Sequence, residues 1–416
     1  MFTSRNFKAL ILLSASLLFF HPHARAQSGR KPWTPKPLTQ PAPTPAGSAH
    51  YEEVRVVAAL GREEFVKALN EQGRLGYRLE KTVGDGGADP RSYAAVLRLD
   101  PGHTYDYVSD PLSEDPRFGT PLNYYPERGY AFVHAYGAVQ CRQVEVFDPN
   151  ATPDYSNRQE TREERSNVLL FMRRDGANAQ TKEYRAFKGR FTLDGGQKKE
   201  LQAALDAAPP GFRPVHVLFA GDGELIVNVT ILAERDLNEA APPKVEYEMV
   251  KEVFGFEDKI NSLAAAGSRY VVGGRLGFVK IALLERQAGG ATAYTFKDDR
   301  QHRKEFPKML AAGNSYAGLL VGDPRCDSGD GVFLQKFVFA RAAGGTSPGE
   351  YKILQIPDRG PDKKKLTGLL PDASVSELRR LLADGFRVRD LFYNLGLYAI
   401  LERPAKAPDA RETSER

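Results

Sequence analysis

The chain is poor in the residues that build small chemical centres. Its 416 residues include only two cysteines, Cys141 and Cys326, together with seven histidines and one tryptophan. Two cysteines this far apart exclude a disulfide-rich scaffold and a thiolate zinc site, which needs closely spaced pairs. Long apolar runs are also lacking. The run from Ala9 to Phe20 has 12 residues, too few to span a bilayer as a helix. Neither sign of charge dominates the folded part. The formal charge is +5, and the first 26 residues carry Arg5, Lys8 and Arg25 without an acid, leaving +2. Arg30, Lys31 and Lys36 follow at once, so the remainder is close to neutral and has no basic stripe suited to nucleic acid. There is no G-x-S-x-G, H-E-x-x-H, Walker or dinucleotide fingerprint. Gly84-Asp85-Gly86-Gly87 lacks the lysine and following helix that phosphate binding requires.

What is present at the start has the three parts of a secretory signal. Basic Arg5 and Lys8 precede the apolar run, and Ala24-Arg25-Ala26 resembles a cleavage site. Processing after Ala26 would release 390 residues into an oxidising compartment, so a secreted or periplasmic protein of bacterial type is expected. Residues 27–50, with proline at 32, 35, 37, 41, 43 and 45 and the lone Trp33, read as a disordered spacer. Residues 404–416 read as a disordered tail, and no later segment is apolar enough to span a membrane.

Between spacer and tail one grammar recurs: a strand opened by an aromatic, a helix stopped by glycine, and two further strands, the last ending at arginine. The opening aromatics are Tyr51, Tyr105, Tyr184, Tyr247, Tyr294 and Tyr351. The glycines are Gly76, Gly129, Gly211, Gly267, Gly313 and Gly385, and the arginines Arg98, Arg173, Arg235, Arg286, Arg341 and Arg403. Residues 246–286 show the plan best. Phe256, Ile260, Leu263 and Ala264 form one helical stripe before Gly267, Gly273-Gly274 punctuates, and Phe278 to Leu284 is an apolar strand. In unit three Val227, Val229 and Ile231 alternate with Asn228 and Thr230, as in a sheet with one wet face. Unit six offers Ser374-Val375-Ser376-Glu377 as a capping box. In unit two, prolines between Pro111 and Pro126 predict a loop in place of the helix, and Phe147 to Ser166 reads as a solvated polar insertion.

The fold class expected is therefore α+β: about six tandem βαββ units with antiparallel sheets and one helix each. Units of this size bury too little surface to stand alone, so packing in pairs is expected. Gly84-Asp85-Gly86, Gly221-Asp222-Gly223 and Gly329-Asp330-Gly331, favoured hairpin chemistry, mark only the odd units. The pairs are 51–174 (units 51–99 and 104–174), 184–286 (units 184–235 and 246–286) and 293–403 (units 293–341 and 350–403).

Unit one carries a resemblance. Tyr51-Glu52-Glu53-Val54-Arg55-Val56-Val57, then Leu69-Asn70-Glu71-x-Gly73-x-x-Gly76-Tyr77-x-Leu79, then Tyr93-Ala94-Ala95-Val96-Leu97-Arg98 resemble small bacterial domains of unknown function. Those read YEYKVV, LNELGxEGWELV and YxxxFKR, with Tyr77 where they carry tryptophan. The resemblance implies this fold and no activity.

No catalytic, cofactor-binding or metal residue is assigned. His50, His103, His134, His216 and His302 are the histidines beyond the signal. His134 and His216 occupy matching places, four residues beyond the strand-two aromatic, where the other units carry Lys81, Gly274, Leu320 and Asp390. Convergence of the two imidazoles would offer metal ligands, though the place does not demand histidine. The acidic turn Asp323 to Gly331 lacks the closing glutamate of a calcium loop and reads as a hairpin turn. Cys141 and Cys326 lie in comparable segments and could pair across the molecule. The function expected is a non-catalytic binding or scaffolding module for a protein or envelope component, without nucleic acid or cofactor. A hydrolase with its site between units, built on His134 and His216, is the alternative.

Overall fold

The computed structural model describes residues 53–404, except for 85–91, 113–120, 148–156, 178, 193–196, 221–225, 240–244, 253, 277–278, 287–291, 321–334, 343–348, 359–366 and 395. The signal, the spacer with Trp33, Tyr51, the acidic turn, Cys326 and most of each Gly-Asp-Gly turn lie outside the described residues, as does the side chain of Cys141.

Six units follow one another. Unit one has β1 (Val54–Leu60), α1 (Arg62–Gly73), β2 (Tyr77–Gly84) and β3 (Ser92–Leu99). Unit two has β4 (Tyr105–Pro111), α2 (Pro121–Tyr124), β5 (Ala131–Phe147) and β6 (Asn157–Arg174). Unit three has β7 (Lys182–Thr192), α3 (Lys198–Asp206), β8 (Arg213–Ala220) and β9 (Ile226–Asp236). Unit four has β10 (Tyr247–Glu252), α4 (Phe256–Ala265), β11 (Ser268–Leu276) and β12 (Val279–Arg286). Unit five has β13 (Thr292–Asp298), α5 (His302–Ala311), β14 (Ser315–Leu320) and β15 (Lys336–Ala342). Unit six has β16 (Glu350–Ile356), the two-residue β17 (Gly368–Leu369), α6 (Asp372–Ala383), β18 (Arg387–Tyr393) and β19 (Leu397–Arg403). In every sheet the third strand lies between the first and the second, all antiparallel. The six glycines expected to end the helical segments all have positive φ, between 80° and 95°, where a Cβ is disfavoured.

Each second strand carries a bulge at the same distance from its glycine. The register slips between Leu79 and Lys81, Phe132 and His134, Pro214 and His216, Tyr270 and Val272, Tyr316 and Gly318, and Val388 and Asp390. The glycine, not the aromatic, therefore sets the register. Val272 and Gly318, rather than Gly274 and Leu320, stand where units two and three carry histidine. Register also moves the opening position of unit two from Tyr105 to Tyr107, and that of unit one to Val54.

A helix covers one face of its sheet; the next unit's sheet covers the helix. Phe256, Ile260 and Ala264 of α4 share a core with Leu284 of their own sheet and with Tyr294, Phe296 and Val338 of unit five. The opposite face of the unit-four sheet, Met249, Ile281 and Leu283, joins Leu201 and Leu205 of α3. Equivalent cores join units one to two, two to three and five to six. A sixth places Val375, Leu378 and Leu382 of α6 against Val54 and Val56 of β1. Pairing is thus one step of a continuous arrangement: the chain of cores closes on itself, and each unit packs on both neighbours.

Two-sided burial corrects several expectations. Thr230 of β9 is buried and Leu232 beyond it enters the core shared with unit two, so the expected wet face is wet only towards the β7 edge, where Lys188 and Arg190 are exposed. Gly273-Gly274 lies within β11 rather than ending it. A Cβ on Gly274 would fall 2.3 Å from the Phe219 ring of β8, and one on Gly273 2.9 Å from Leu320 of β14, so both glycines admit neighbouring side chains. The capping box is not formed. Helix α6 begins at Asp372 behind Pro371, which puts Ser374 inside the helix, and Glu377 pairs instead with Arg380 at 2.6 Å. In unit two α2 is a single turn followed by a short 3-10 turn, Pro126–Arg128, as its prolines imply. The backbone of the polar insertion is no loop over residues 157–166. It pairs with β5 out to Phe147↔Asn157, extending the unit-two hairpin well past the end of β4 at Pro111↔Val168.

Strand edges are met by side chains of the neighbouring unit. Asn70 of α1 grips Tyr107 of β4 at both backbone groups, accepting from its N–H at 2.8 Å and donating to its carbonyl at 2.9 Å. Asn261 of α4 does the same to Tyr294 of β13, at 2.6 and 3.0 Å. Gln202 of α3 spans Tyr247 and Met249 of β10, and Arg379 of α6 donates to the Val54 carbonyl of β1 at 2.8 Å. At that last junction β17 also adds itself to β1, with Leu370 N–H donating to the Val56 carbonyl.

Two stability measurements check this arrangement. Leu283→Ala and Leu284→Ala, on opposite faces of β12 and both fully buried, should each cost about 2–5 kcal/mol in denaturant unfolding. A sheet buried on one face only would lose stability in just one of them. Asn261→Ala should cost about 1–3 kcal/mol, because it leaves both backbone groups of Tyr294 unmatched. A change within about 0.5 kcal/mol, the usual range for an unremarkable surface position, would show that the strand edge does not need its amide.

Candidate functional site

Second strands of neighbouring units meet one another, and at two of these meetings polar groups at the bulges come together. His134 of β5 and His216 of β8 meet with ring centroids 5.2 Å apart and planes 72° apart. Tyr136 and Phe132 pack against this pair, at 4.8 Å from His134 and 6.4 Å from His216. The convergence considered from sequence is therefore observed. Its setting is aromatic: among the described residues no group of three His, Cys, Asp or Glu side chains could hold a metal ion. Part of the His216 surface remains accessible, yet its surroundings desolvate the ring and lower its pKa below the ordinary histidine value, against a smaller opposing effect of the Val217 carbonyl.

At the equivalent place where unit six meets its neighbours, Tyr316 of β14 donates to Asp390 of β18 at 2.7 Å. Burial raises the Asp390 pKa, while the nearby Lys81 ammonium of β2 and the Tyr316 hydroxyl oppose that shift. These residues link units five, six and one, and their polar atoms are directed at one another.

A cleft of about 580 Å³ opens between the first turn of α5 and unit six, and it differs in having polar groups left over. Its walls are Gln301, His302, Arg303 and Lys304 on one side and Gln355, Asn394 and Tyr398 on the other. The sequence places them there for local reasons. A 3-10 turn, Asp299–Gln301, leads into α5, whose Gln301 N-cap makes no side-chain cap. Glu305 and Phe306 face inward, Glu305 within 3.7 Å of Lys297, which leaves Arg303 and Lys304 on the open side. The Arg303 guanidinium is held over the cleft, donating to Gln355 Oε1 at 3.2 Å and to the Tyr398 hydroxyl at 3.3 Å. His302 is 5% exposed, with its ring edge-on to Tyr398 at 4.6 Å. Its Nδ1 lies 2.9 Å from the Asp299 carbonyl, which can only accept, so Nδ1 carries the proton. Nε2 is then an acceptor, and it makes no hydrogen bond to the protein. Burial lowers the His302 pKa, opposed by the hydrogen bond to the Asp299 carbonyl and aided to a smaller extent by Arg303.

Of the cleft residues only His302 stands out in the sequence, and only as a histidine. A basic pair opening a predicted helix, Arg303-Lys304, was the available signal, because cations oppose the helix dipole at that end. Gln355, Asn394 and Tyr398 come from another unit and carry no local signal. No family model, curated protein or solved structure matches the chain.

Titration should show the state of the histidine pair. A histidine whose pKa is lower in the folded than in the unfolded chain contributes stability above the unfolded value, near 6.5, and loses it as pH falls towards the folded value. The stability of His216→Gln relative to the original chain should therefore rise as pH is lowered from 7 through that window. Urea unfolding at stepped pH measures it, and a pH-independent difference would mean that the imidazole is not desolvated.

Proposed function

We propose that this protein is a secreted or periplasmic binding or scaffolding module without chemistry of its own, acting on a protein or envelope component. The fold expected from the resemblance of unit one to small bacterial domains of unknown function agrees with this reading. One observation carries it. The residues that recur from unit to unit serve packing and edge capping, whereas the cleft between units five and six offers uncommitted polar groups and no carboxylate, serine or cysteine among its described walls. Such a wall binds better than it reacts, since neither a nucleophile nor an acid-base pair is assembled there. A hydrolase with its site at His134 and His216 is the second reading, and the contact of those two rings is the observation in its favour.

Turnover separates the two. The mature chain should not hydrolyse chromogenic esters, phosphoesters or glycosides above the buffer rate, between pH 5 and 8. Hydrolysis that His216→Gln abolishes while the fold survives would overturn the binding reading in favour of the hydrolase.

A further inference from the structure

We propose that the cleft between α5 and unit six binds a hydroxylated organic anion of the sugar-acid class, its carboxylate at Arg303 and Lys304 and its hydroxyls at His302, Asn394 and Gln355. This rests on the binding reading above and names its ligand.

The charge balance points to an anion. Arg303 and Lys304 occupy the first turn of α5, where the unpaired backbone N–H groups already create a positive end. Two cations there repel that dipole; the acid of the same turn, Glu305, is buried and faces Lys297, and none of the described cleft walls supplies a carboxylate. Arg303 is also positioned in advance. Two of its N–H groups' worth of bonding goes to Gln355 and Tyr398, which fixes the guanidinium while donors remain for a ligand. Tyr398 is 5% exposed, and its hydroxyl accepts from Arg303, so the hydroxyl proton is available to a second acceptor.

The remaining groups exclude a bare inorganic anion as the best fit. His302 Nε2 is a buried acceptor without a protein donor, and a buried acceptor left unmatched is costly. Asn394 commits its amide nitrogen to the Asp299 carbonyl at 2.8 Å, which turns its oxygen toward other donors. These acceptors call for ligand O–H groups beside the charged one. An aromatic ring, Tyr398, forms part of the wall, and a space of about 580 Å³ admits a hexose-sized ring.

Isothermal titration of the full mature chain with D-glucuronate tests the assignment, with glucose and sulfate as the two half-probes. Saturable one-site binding of glucuronate, with glucose and sulfate each at least about tenfold weaker, is expected. Lys304→Ala and Gln355→Ala, both at exposed positions, should each weaken glucuronate by about tenfold, the scale of one charge-assisted or unmatched hydrogen bond. Lys199→Ala on α3, also exposed, should leave it unchanged, and thermal melts confirm that all three fold. Equal binding of sulfate would show a site for charge alone, equal binding of glucose would remove the anion, and no glucuronate binding would remove the ligand class; each overturns the proposal. None of these results touches the binding reading itself, which falls only on His216-dependent turnover.

Discussion

A three-stranded sheet with one helix has a geometry that cannot be satisfied alone. The helix hides one face, leaving the other face and two edges to be covered by something else. Here the something else is always the next copy. The apolar pattern of β12, Ile281-Ala282-Leu283-Leu284, records this, since alternate residues belong to different cores and all four are fully buried. A strand buried on both faces reads as a continuous apolar run, even in an antiparallel sheet. Because every unit has this need, the succession can end only by meeting its own beginning or by carrying a polar cap.

Edges impose the second half of the constraint. The first strand of each unit except unit one, where β17 pairs with β1, is an edge, with backbone groups open to unwanted pairing. At three junctions an amide on the preceding helix, Asn70, Gln202 or Asn261, mimics a neighbouring strand, offering one donor and one acceptor. The bulge in the second strand is met from the same direction. The Tyr107 hydroxyl accepts from Leu79 N–H at 2.8 Å, Tyr184 from Phe132 and Tyr294 from Tyr270, both at 2.9 Å, always at the residue just before the slip. Unit three has Pro214 at that place, which lacks an N–H and so needs no hydroxyl. Cross-strand acid–arginine pairs, Asp106 with Arg173, Glu183 with Arg235, Glu246 with Arg286 and Glu350 with Arg403, close the outer ends of the sheets. The last two pairs are exposed, and each of those adds about 0.2–1 kcal/mol; the first two are half-buried.

The unit count, the strand order of events and the helix-ending glycines were legible because each follows from local chemistry within about 50 residues. Register was not, because the eye aligns aromatics while the backbone aligns on the left-handed glycine. In units four and five Ser268 and Asn314 follow that glycine and the aromatic comes later, at Tyr270 and Tyr316. A usable signal was present and unread: Asn70, Asn261 and Arg379 all stand six residues before the glycine. Closure was beyond local reading altogether. The Arg379 to Val54 contact joins residues 325 apart, and no pattern inside either unit refers to the other.

The cleft lies where the edge rule lapses. Six residues before Gly313 the chain has Pro307, inside α5, so the position that holds Asn70, Asn261 and Arg379 in units one, four and six has no polar side chain. Proline also withholds the N–H that would bond the Arg303 carbonyl, loosening the first turn of the helix. Among the described residues no helix side chain grips the β16 backbone as Tyr107 and Tyr294 are gripped; contact passes through side chains, from Arg303 to Gln355 and Tyr398. The two units share an aromatic core below these contacts, and the polar cleft opens above it, bridged by Arg303. Four of the six junctions are closed by a helix side chain on a strand edge, and the cleft opens at one where the described residues show no such contact. Sites where a repeated rule is broken without loss of packing nearby, as the fully buried Phe306, Phe337 and Phe392 beneath this cleft attest, are where function is best sought.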